Sequence, residues 1–320
     1  MIVNGTCINK TNGRVGATFI SVWTGVSSLV AVIWLGRSMY KQRQFSQPKF
    51  VALVVCFSDL MYSGISNSQL VAMTWLGYCV MGGFQGCILR GFARNSTMVG
   101  SHFMVVLLAT ERFIALRFPF RYQQLMTPKK VVIVAVSLYL YAIFLATLPL
   151  MGVNKYGYQT WCDFFWNDTS PEGRFFVILY LLQGMGCMLY TVFCNISVVH
   201  ELLAIRRRIG PGSKVISFKE KLDHFKFMAI MTFVSVAYIV CSTPYLVRLA
   251  CNQFGFNLSV TKDFDAVRMY IVNNMTNSYF ILFIQALFHP KIINKFRACC
   301  RRNEQEIETN ARNTQSSEVV

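Results

Sequence analysis

Charged residues are scarce in this chain, and acidic residues are the scarcest. Only 14% of the 320 residues are charged, with 14 Asp and Glu against 31 Lys and Arg. Soluble domains carry nearer 25% charged residues. By contrast, 54% of the residues are hydrophobic, and they fall in long blocks rather than at amphipathic spacing. The composition therefore excludes an ordinary soluble domain and indicates a protein that crosses a membrane several times.

Groups that carry catalysis or bind metals are also few. The chain has 4 His, scattered at His102, His200, His224 and His289. The sequence contains no nucleophile–base pair and no metal-ligand cluster, so we expect neither an enzyme nor a cofactor. Most of the 11 Cys lie inside apolar blocks, where cysteine is a small buried hydrophobe. The amino-terminal stretch lacks the apolar core of a cleavable signal peptide.

The apolar blocks predict seven membrane-spanning helices. We expect them at 17–38, 50–75, 84–116, 131–151, 174–203, 227–250 and 263–287. The fold class is thus an all-α membrane protein, a seven-transmembrane helix bundle with a short amphipathic eighth helix. Its predicted parts are an extracellular segment at 1–16, the bundle at 17–288, a membrane-parallel helix at 289–300 and a disordered cytoplasmic tail at 301–320.

Loop charge and glycosylation signals predict the orientation of the chain. Basic residues cluster in the short loops after the first, third and fifth spans, which indicates cytoplasmic loops and argues against nucleic acid as the partner of the +17 net charge. Glycosylation sequons begin at Asn4, Asn9, Asn167 and Asn257, all in the predicted outer segments. We therefore expect a plasma-membrane protein with an extracellular amino terminus.

One cation inside the seventh span suggests a ligand site. Arg268 follows Asp263 within an otherwise apolar run, where a permanently charged guanidinium is costly. We hypothesise that Arg268 awaits the carboxylate of a ligand. Arg90 and Arg94 lie one turn apart in the third span; we expect Arg90 to reach the outer headgroups and Arg94 to face the cavity. Arg248 is expected to be an interface anchor.

Other polar residues predict structural and switching roles. Asp59 lies in the middle of the second span and needs a partner, for which Asn277 or a sodium ion are candidates; a structural acid held by hydrogen bonds is the equal alternative. Glu111-Arg112 ends the third span as a local ion pair that a partner protein could break. Pro244 is expected to kink the sixth span.

Cysteines outside the spans predict two covalent features. Cys87 opens the third span on its outer side and Cys162 lies in the second outer loop, so a disulfide between them is expected in the oxidising exterior. Cys299-Cys300 ends the membrane-parallel helix and suggests palmitoylation.

Seven spans, the Cys87–Cys162 pair and Glu111-Arg112 together resemble a rhodopsin-like G-protein-coupled receptor. The finer resemblance is to the prostanoid receptors, most closely the prostaglandin E type. It is carried by the run 263–268 with Val272-Asn273, by Thr160-Trp161-Cys162, and by Cys241-Ser242-Thr243-Pro244.

The resemblance implies roles for particular residues. Arg268 would pair with the carboxylate of a prostanoid and Thr160 would add a polar contact, while Thr74 stands where the family has a tyrosine. Three departures mark a divergent member. Ser28 replaces the usual asparagine of the first span, Ser68 replaces a proline in the second, and Asn277-Ser278-Tyr279 replaces Asp-Pro-Trp in the seventh.

The expected function is to bind a prostanoid-like lipid carboxylate and to activate a heterotrimeric G protein, with cyclic AMP as the implied messenger and arrestin and membrane lipids as further partners. One alternative is a receptor for another anion: a different oxylipin, a nucleotide or a peptide carboxyl end. Arg94 would favour a more highly charged ligand. A seven-helix transporter or channel is the second alternative, and the inverted repeats typical of many transporters are not evident.

Overall fold

We describe the protein from a computed structural model. It describes residues 2–3, 6–7, 14–42, 46–76, 83–158, 162–208 and 218–256, together with 266, 269–270, 272–273 and 276–283. Within these residues six helices are long and apolar enough to cross a membrane. The described parts of 266–283 are helical as well and form the seventh span.

The helices follow one another as an up-and-down bundle. Their bounds are α1 Arg14–Gln42, α2 Gln47–Met61, α3 Ser68–Leu76, α4 Gly83–Arg117, α5 Pro119–Leu125, α6 Pro128–Thr147, α7 Pro171–Arg208 and α8 Phe218–Gln253. A π-helical segment, Tyr62–Asn67, joins α2 to α3, and a 3-10 turn, Leu148–Met151, extends α6. The first span is α1, the second α2 to α3, the third α4, the fourth α6, the fifth α7 and the sixth α8.

Proline and threonine define where the fourth span starts. Pro128 sits in its first turn, where proline's missing N–H costs no hydrogen bond. Thr127 caps the helix, and its Oγ1 accepts a hydrogen bond from the Lys130 backbone N at 3.4 Å. At the other end Gly152 adopts φ 93°, a left-handed conformation that glycine adopts without steric cost, and the chain turns into the outer loop.

The second span is irregular next to Ser68, the residue that stands where the prostanoid receptors have a proline. The π-helical segment ends at Asn67, directly before Ser68. The Ser68 hydroxyl donates to the backbone oxygen of Gly64 and, at 3.2 Å, to that of Ile65. Insertion of a side-chain donor into the helical ladder is a recognised cause of local distortion. The span is therefore irregular at this level even though the proline is absent.

The third span lies at the centre of the bundle. It packs against the second, fourth and fifth spans. Met98, Met104 and Leu108 are at most 2% exposed and belong to one continuous apolar cluster. Outward-facing apolar residues on the other spans, such as Ile133 at 63% and Leu182 at 62%, form the surface that the lipid covers.

A short hairpin covers the outer end of the third span. Strand β3, Tyr156–Tyr158, pairs antiparallel with strand β4, Cys162–Phe164, with Tyr158 opposite Cys162. Both strands contact the third span, and Tyr156 packs where the third span has Gly91. A second hairpin near the amino terminus pairs strand β1, Ile2–Val3, with strand β2, Thr6–Cys7, and was not predicted from the sequence.

Helix ends differ modestly from the predictions. The first helix begins at Arg14 rather than 17, and the sixth begins at Phe218 rather than 227. The basic loop after the fifth span is therefore shorter than expected, because charged helix ends extend beyond the apolar core into the interface. Pro244 lies inside the sixth helix, which continues to Gln253. The predicted membrane-parallel helix and tail lie outside the described residues.

Candidate ligand pocket and signalling site

A carboxylate from the second outer loop reaches into the outer half of the bundle. Asp163, on β4, is 1% exposed, and its Oδ2 lies 3.1 Å from Nη1 of Arg94 on the third span. Its Oδ1 accepts hydrogen bonds from Asn95 Nδ2 at 2.8 Å and from the Phe164 backbone N at 2.9 Å. Arg94 itself is 2% exposed. The loop strand is thus fixed to the third span by a buried ion pair and by hydrogen bonds.

The same strand is fixed covalently. A disulfide joins Cys87, at the start of the third span, to Cys162, the residue before Asp163. Both cysteines are buried, at 2% and 0% exposure. The disulfide confirms the pairing predicted from the sequence. It explains how an acidic residue can remain in a buried position beside the third span.

Aromatic rings form a continuous column from this loop to the middle of the bundle. Phe164 lies 5.1 Å from Tyr180, which lies 6.4 Å from Tyr245. Tyr245 stacks on Tyr270 at 4.5 Å, and Tyr270 stacks on His102 at 4.8 Å. The column joins the outer loop to the third, fifth, sixth and seventh spans, so a ligand that displaces one ring acts on several helices.

His102 forms the lower end of the column and connects three spans. Its Nδ1 lies 2.9 Å from the Tyr270 hydroxyl, and its Nε2 lies 3.1 Å from Nδ2 of Asn273, both on the seventh span. Its ring also contacts Tyr238 of the sixth span at 5.1 Å. These contacts couple the third span to the sixth and seventh.

A polar layer lies below, around Asp59. Its Oδ1 accepts from Ser101 Oγ at 2.8 Å and its Oδ2 from Ser278 Oγ at 3.3 Å. Ser28 Oγ donates to Ser278 Oγ at 3.1 Å, and all four residues are 0% exposed. Serines on the third and seventh spans therefore donate to this buried acid, and Ser28 on the first span donates to one of them. Asn277, the expected partner, is also fully buried, one residue before Ser278.

The inner end of the third span holds a second buried acid. Glu111 is 0% exposed, and its Oε2 lies 2.9 Å from Nε of Arg112. Tyr122 on α5 donates its hydroxyl to Oε1 of Glu111 at 2.5 Å. Burial and, next, the charge of Glu111 raise the pKa of Tyr122, so its hydroxyl stays protonated and donates. The two contacts hold Arg112 against its own helix.

Comparison with known proteins identifies this arrangement. The family profile described as "7 transmembrane receptor (rhodopsin family)" matches residues 28–292. The chain belongs to this receptor family. It is therefore a class A receptor, a multi-pass membrane protein, and not an enzyme.

The most informative relatives are prostanoid receptors. The chain is 24% identical over 295 residues to the mouse prostaglandin E2 receptor EP2 subtype, covering 78% of this chain and 77% of that receptor. It is 28% identical over 248 residues to the human prostacyclin receptor, covering 73% of this chain and 60% of that receptor. The predicted resemblance to prostanoid receptors is confirmed at this level.

A solved structure gives the same fold. The crystal structure of squid rhodopsin matches with a TM-score of 0.63 at 15% identity, covering 89% of this chain and 85% of rhodopsin. At that identity the match supports the seven-helix fold alone. The receptor therefore combines a rhodopsin-like bundle with sequence similarity to the prostanoid branch.

Two predictions for the outer arginines are wrong. Arg90, expected among the outer headgroups, is 3% exposed, and Arg248, expected as an interface anchor, is 8% exposed. Both side chains are enclosed by protein instead of reaching the interface. Arg94 is inside as expected, where Asp163 neutralises it.

Several predicted site residues lie outside the described residues. They are Arg268 and Thr160 of the ligand site, Asn4, Asn9 and Asn257 of the sequons, and Cys299 and Cys300. Among the described ones, Thr74 is half-buried near the outer end of the second span, and its Oγ1 donates to Val71 O at 2.8 Å. Asn167 is exposed in the second outer loop. Their roles stay predictions.

Sequence reasoning missed three residues of the site. Asp163 follows Cys162 directly, and an acid beside a predicted disulfide cysteine is a weak signal for a buried ion pair. Tyr122 lies eleven residues after Glu111, on a helix too short to be predicted from hydropathy. His102 is one of four scattered histidines, and its position in the sequence does not mark it as part of a site. Each depends on contacts between distant parts of the chain.

Proposed function

We propose that this receptor binds an amphipathic lipid carboxylate of the prostaglandin E type, with Arg268 as the partner of the carboxylate. The observation that carries the proposal is similarity to prostaglandin E2 and prostacyclin receptors over about three quarters of the chain, together with an arginine in the apolar seventh span. Arginine suits this role because its planar fork pairs with a carboxylate in two parallel hydrogen bonds.

Helical periodicity suggests where the head group is bound. Tyr279 lies eleven residues after Arg268, which on an α-helix is three turns plus about 20°. The Tyr279 ring contacts Trp23 of the first span at 5.8 Å. We therefore expect Arg268 to lie on the face of the seventh span toward the first span.

Neighbouring contacts support a site at that place. Thr74 lies near the outer end of the second span, beside Trp75, whose Nε1 donates to Thr18 Oγ1 of the first span at 3.0 Å. This bond keeps the two spans together on either side of the proposed site. Thr160, in the loop before β4, would close it from above, and the apolar chains would lie deeper in the bundle.

The loop carboxylate argues against the more highly charged ligand considered from the sequence. That alternative depended on Arg94 as a second uncompensated cation. Because Asp163 lies 3.1 Å from Arg94 and both are buried, the charge of Arg94 is already balanced. A single carboxylate at Arg268 is then the better match to the outer pocket.

We propose that activation releases Arg112 for a heterotrimeric G protein. Phe120, on the short α5 helix of the second inner loop, is 97% exposed, and an exposed apolar ring on this inner loop suits a protein partner. The ligand shifts the equilibrium by binding the active arrangement more tightly. The stimulatory G protein with cyclic AMP is the expected route, arrestin is an expected second partner, and no nucleic acid is involved.

The disulfide supports the proposed orientation of the chain. A disulfide forms in oxidising compartments, so the Cys87–Cys162 side of the bundle faces outward. Two spans lie between the amino terminus and Cys87, so the amino terminus and this loop lie on the same side of the membrane. We infer a plasma-membrane receptor with its amino terminus outside and its basic loops inside.

The carboxylate site is tested by Arg268→Gln, which removes the charge and keeps the length of the side chain. Loss of a charge-assisted hydrogen bond is worth about 1.5–3 kcal/mol, so prostaglandin E2 affinity should fall on the order of 10- to 100-fold. The control is Arg121→Gln, at an exposed inner position. Unchanged affinity at equal surface expression would remove Arg268 from the site.

The ligand class is tested separately in cells that express the intact receptor. Cyclic AMP and calcium are recorded against a panel of oxylipins. We expect a cyclic AMP response to prostaglandins of the E type. Flat responses to all prostanoids would refute the proposed ligand class and would leave the assignment to the receptor family unchanged.

A further inference from the structure

Asp163 lies in a buried carboxylate-binding site. Its Oδ2 lies 3.1 Å from Arg94 Nη1. Its Oδ1 accepts hydrogen bonds from Asn95 Nδ2 at 2.8 Å and from the backbone N of Phe164 at 2.9 Å. Arg94 and Asn95 are 2% and 3% exposed. An arginine and an amide donor on successive residues of the third span thus face one carboxylate with water excluded.

The chain supplies this carboxylate in a way that a free ligand cannot easily match. Asp163 follows Cys162, and the disulfide to Cys87 holds that strand against the third span. Phe164, the next residue, is 0% exposed and packs between Phe176 and Tyr180 of the fifth span. A tethered group has a high effective concentration at its site. Asp163 therefore competes strongly with any external carboxylate for Arg94.

We propose that Asp163 is a tethered counter-carboxylate that fills an anion site at Arg94 and Asn95, and that it thereby restricts the receptor's ligands to those with one carboxylate. The restriction to ligands with one carboxylate rests on the proposed function. The anion site at Arg94 and Asn95 does not depend on it. Asp163 acts as a specificity-determining residue: it takes no part in binding the head group at Arg268 and instead closes a second anion site.

The physical reason for the restriction is the placement of like charges. A lipid with a second acidic group that reaches Arg94 would meet the Asp163 carboxylate already bound there. Two carboxylates cannot share a site in their ionised forms without a large energetic cost. Removal of the Asp163 charge leaves the Arg94 guanidinium buried, and a buried cation without its counter-charge strongly favours any anion that fits.

The site is tested first without any lipid, by chemical rescue. Asp163→Ala removes a group the size of formate from the intact receptor, whose thermal unfolding midpoint is measured in lipid nanodiscs. We expect the midpoint to fall and to be restored saturably by sodium formate, but not by sodium chloride at the same ionic strength. If formate has no more effect than chloride, no carboxylate site exists at Arg94 and the proposal is wrong.

Matched variants guard against a merely destabilised receptor. The double variant Arg94→Met with Asp163→Leu replaces the ion pair by apolar side chains of similar size, a change that folded proteins often tolerate. It should fold and show no formate effect. If Asp163→Ala alone does not fold, the exchange Arg94→Asp with Asp163→Arg is tested; recovery of folding relative to either single exchange supports the pair, and failure to recover contradicts it.

Ligand charge is tested in the same variants. Prostaglandin E2 and its ω-carboxy derivative, a dicarboxylate, compete for a labelled prostaglandin. In the unaltered receptor the monocarboxylate should bind more tightly, and in Asp163→Ala the preference should shift toward the dicarboxylate by about tenfold, the change expected from one weak ion pair. An unchanged preference would overturn the selectivity role.

The two arms separate this inference from the proposed function. Rescue by formate with no binding of either lipid would support the anion site and refute the prostaglandin ligand. Binding of prostaglandin E2 without rescue by formate would support the proposed function and refute the anion site.

Discussion

Tyr122 offers the sharpest test of the inner switch. Its hydroxyl is the donor to Oε1 of Glu111, which is 0% exposed and also holds Arg112 at 2.9 Å. Tyr122→Phe keeps the ring and removes only this donor. Since burial raises the pKa of Tyr122, the lost group is a protonated donor at every physiological pH.

The expected magnitude follows from that single contact. A hydrogen bond to a charged, buried group is worth about 1.5–3 kcal/mol. We propose that activation separates Arg112 from Glu111, so the loss weakens only the resting arrangement. The ratio of active to resting receptor should then rise on the order of 10- to 100-fold.

The assay is agonist-independent nucleotide exchange on purified G proteins, including the stimulatory type, with membranes that contain equal amounts of receptor. Tyr40→Phe is the matched control, because Tyr40 lies at the inner end of the first span and is 88% exposed. We expect Tyr122→Phe to raise basal exchange, and we expect Tyr40→Phe to leave it at the level of the unaltered receptor. Basal exchange equal to that of the unaltered receptor would refute the reasoning.

Three further predictions address packing, the covalent framework and orientation. Gly91→Ala would place a Cβ 2.5 Å from the Tyr156 ring and should lower the thermal unfolding midpoint, whereas Gly36→Ala, with nothing within 4 Å, should leave it unchanged. Cys87→Ser removes the disulfide and should cost about 2–5 kcal/mol, seen as reduced folded receptor at the cell surface. Asn167→Gln should remove one glycan, seen as a gel shift that enzymatic deglycosylation reproduces in the unaltered receptor; identical mobility would argue against an outer position.

Most of the fold could be predicted because membrane helices are encoded locally. A span needs roughly 20 apolar residues in a row, and this signal needs no knowledge of distant contacts. The third span shows the precision that results: 84–116 was predicted and Gly83–Arg117 is found. The disulfide was predictable for a similar reason, since compartment and loop position limit the pairs.

Burial of single charged side chains was less predictable. From hydropathy alone Arg90 and Arg248 belong to the ends of spans, where long basic side chains usually reach the interface. Both are enclosed by protein. Enclosure of a side chain depends on tertiary contacts, which the hydropathy of its own helix does not report.

For the buried polar residues, the sequence predicted which groups need partners, and the tertiary structure decided which partners they have. That Asp59 needs partners follows from its place in an apolar span. That Ser101 and Ser278 are the donors required the packing of three spans against one another. Likewise Glu111-Arg112 was recognisable as a pair in the sequence, whereas the contribution of Tyr122 depended on the fold of the second inner loop.

The sequence by itself determined the seven spans, the disulfide and the receptor family, because each rests on hydrophobicity or a local motif. Only the tertiary structure decided which buried charges meet. Arg94 could have served a ligand on the evidence of the sequence; the approach of Asp163 from a loop nearly seventy residues away gave it an internal partner. Electrostatic contacts depend on distances between chain segments, and those distances are set when the helices and loops pack.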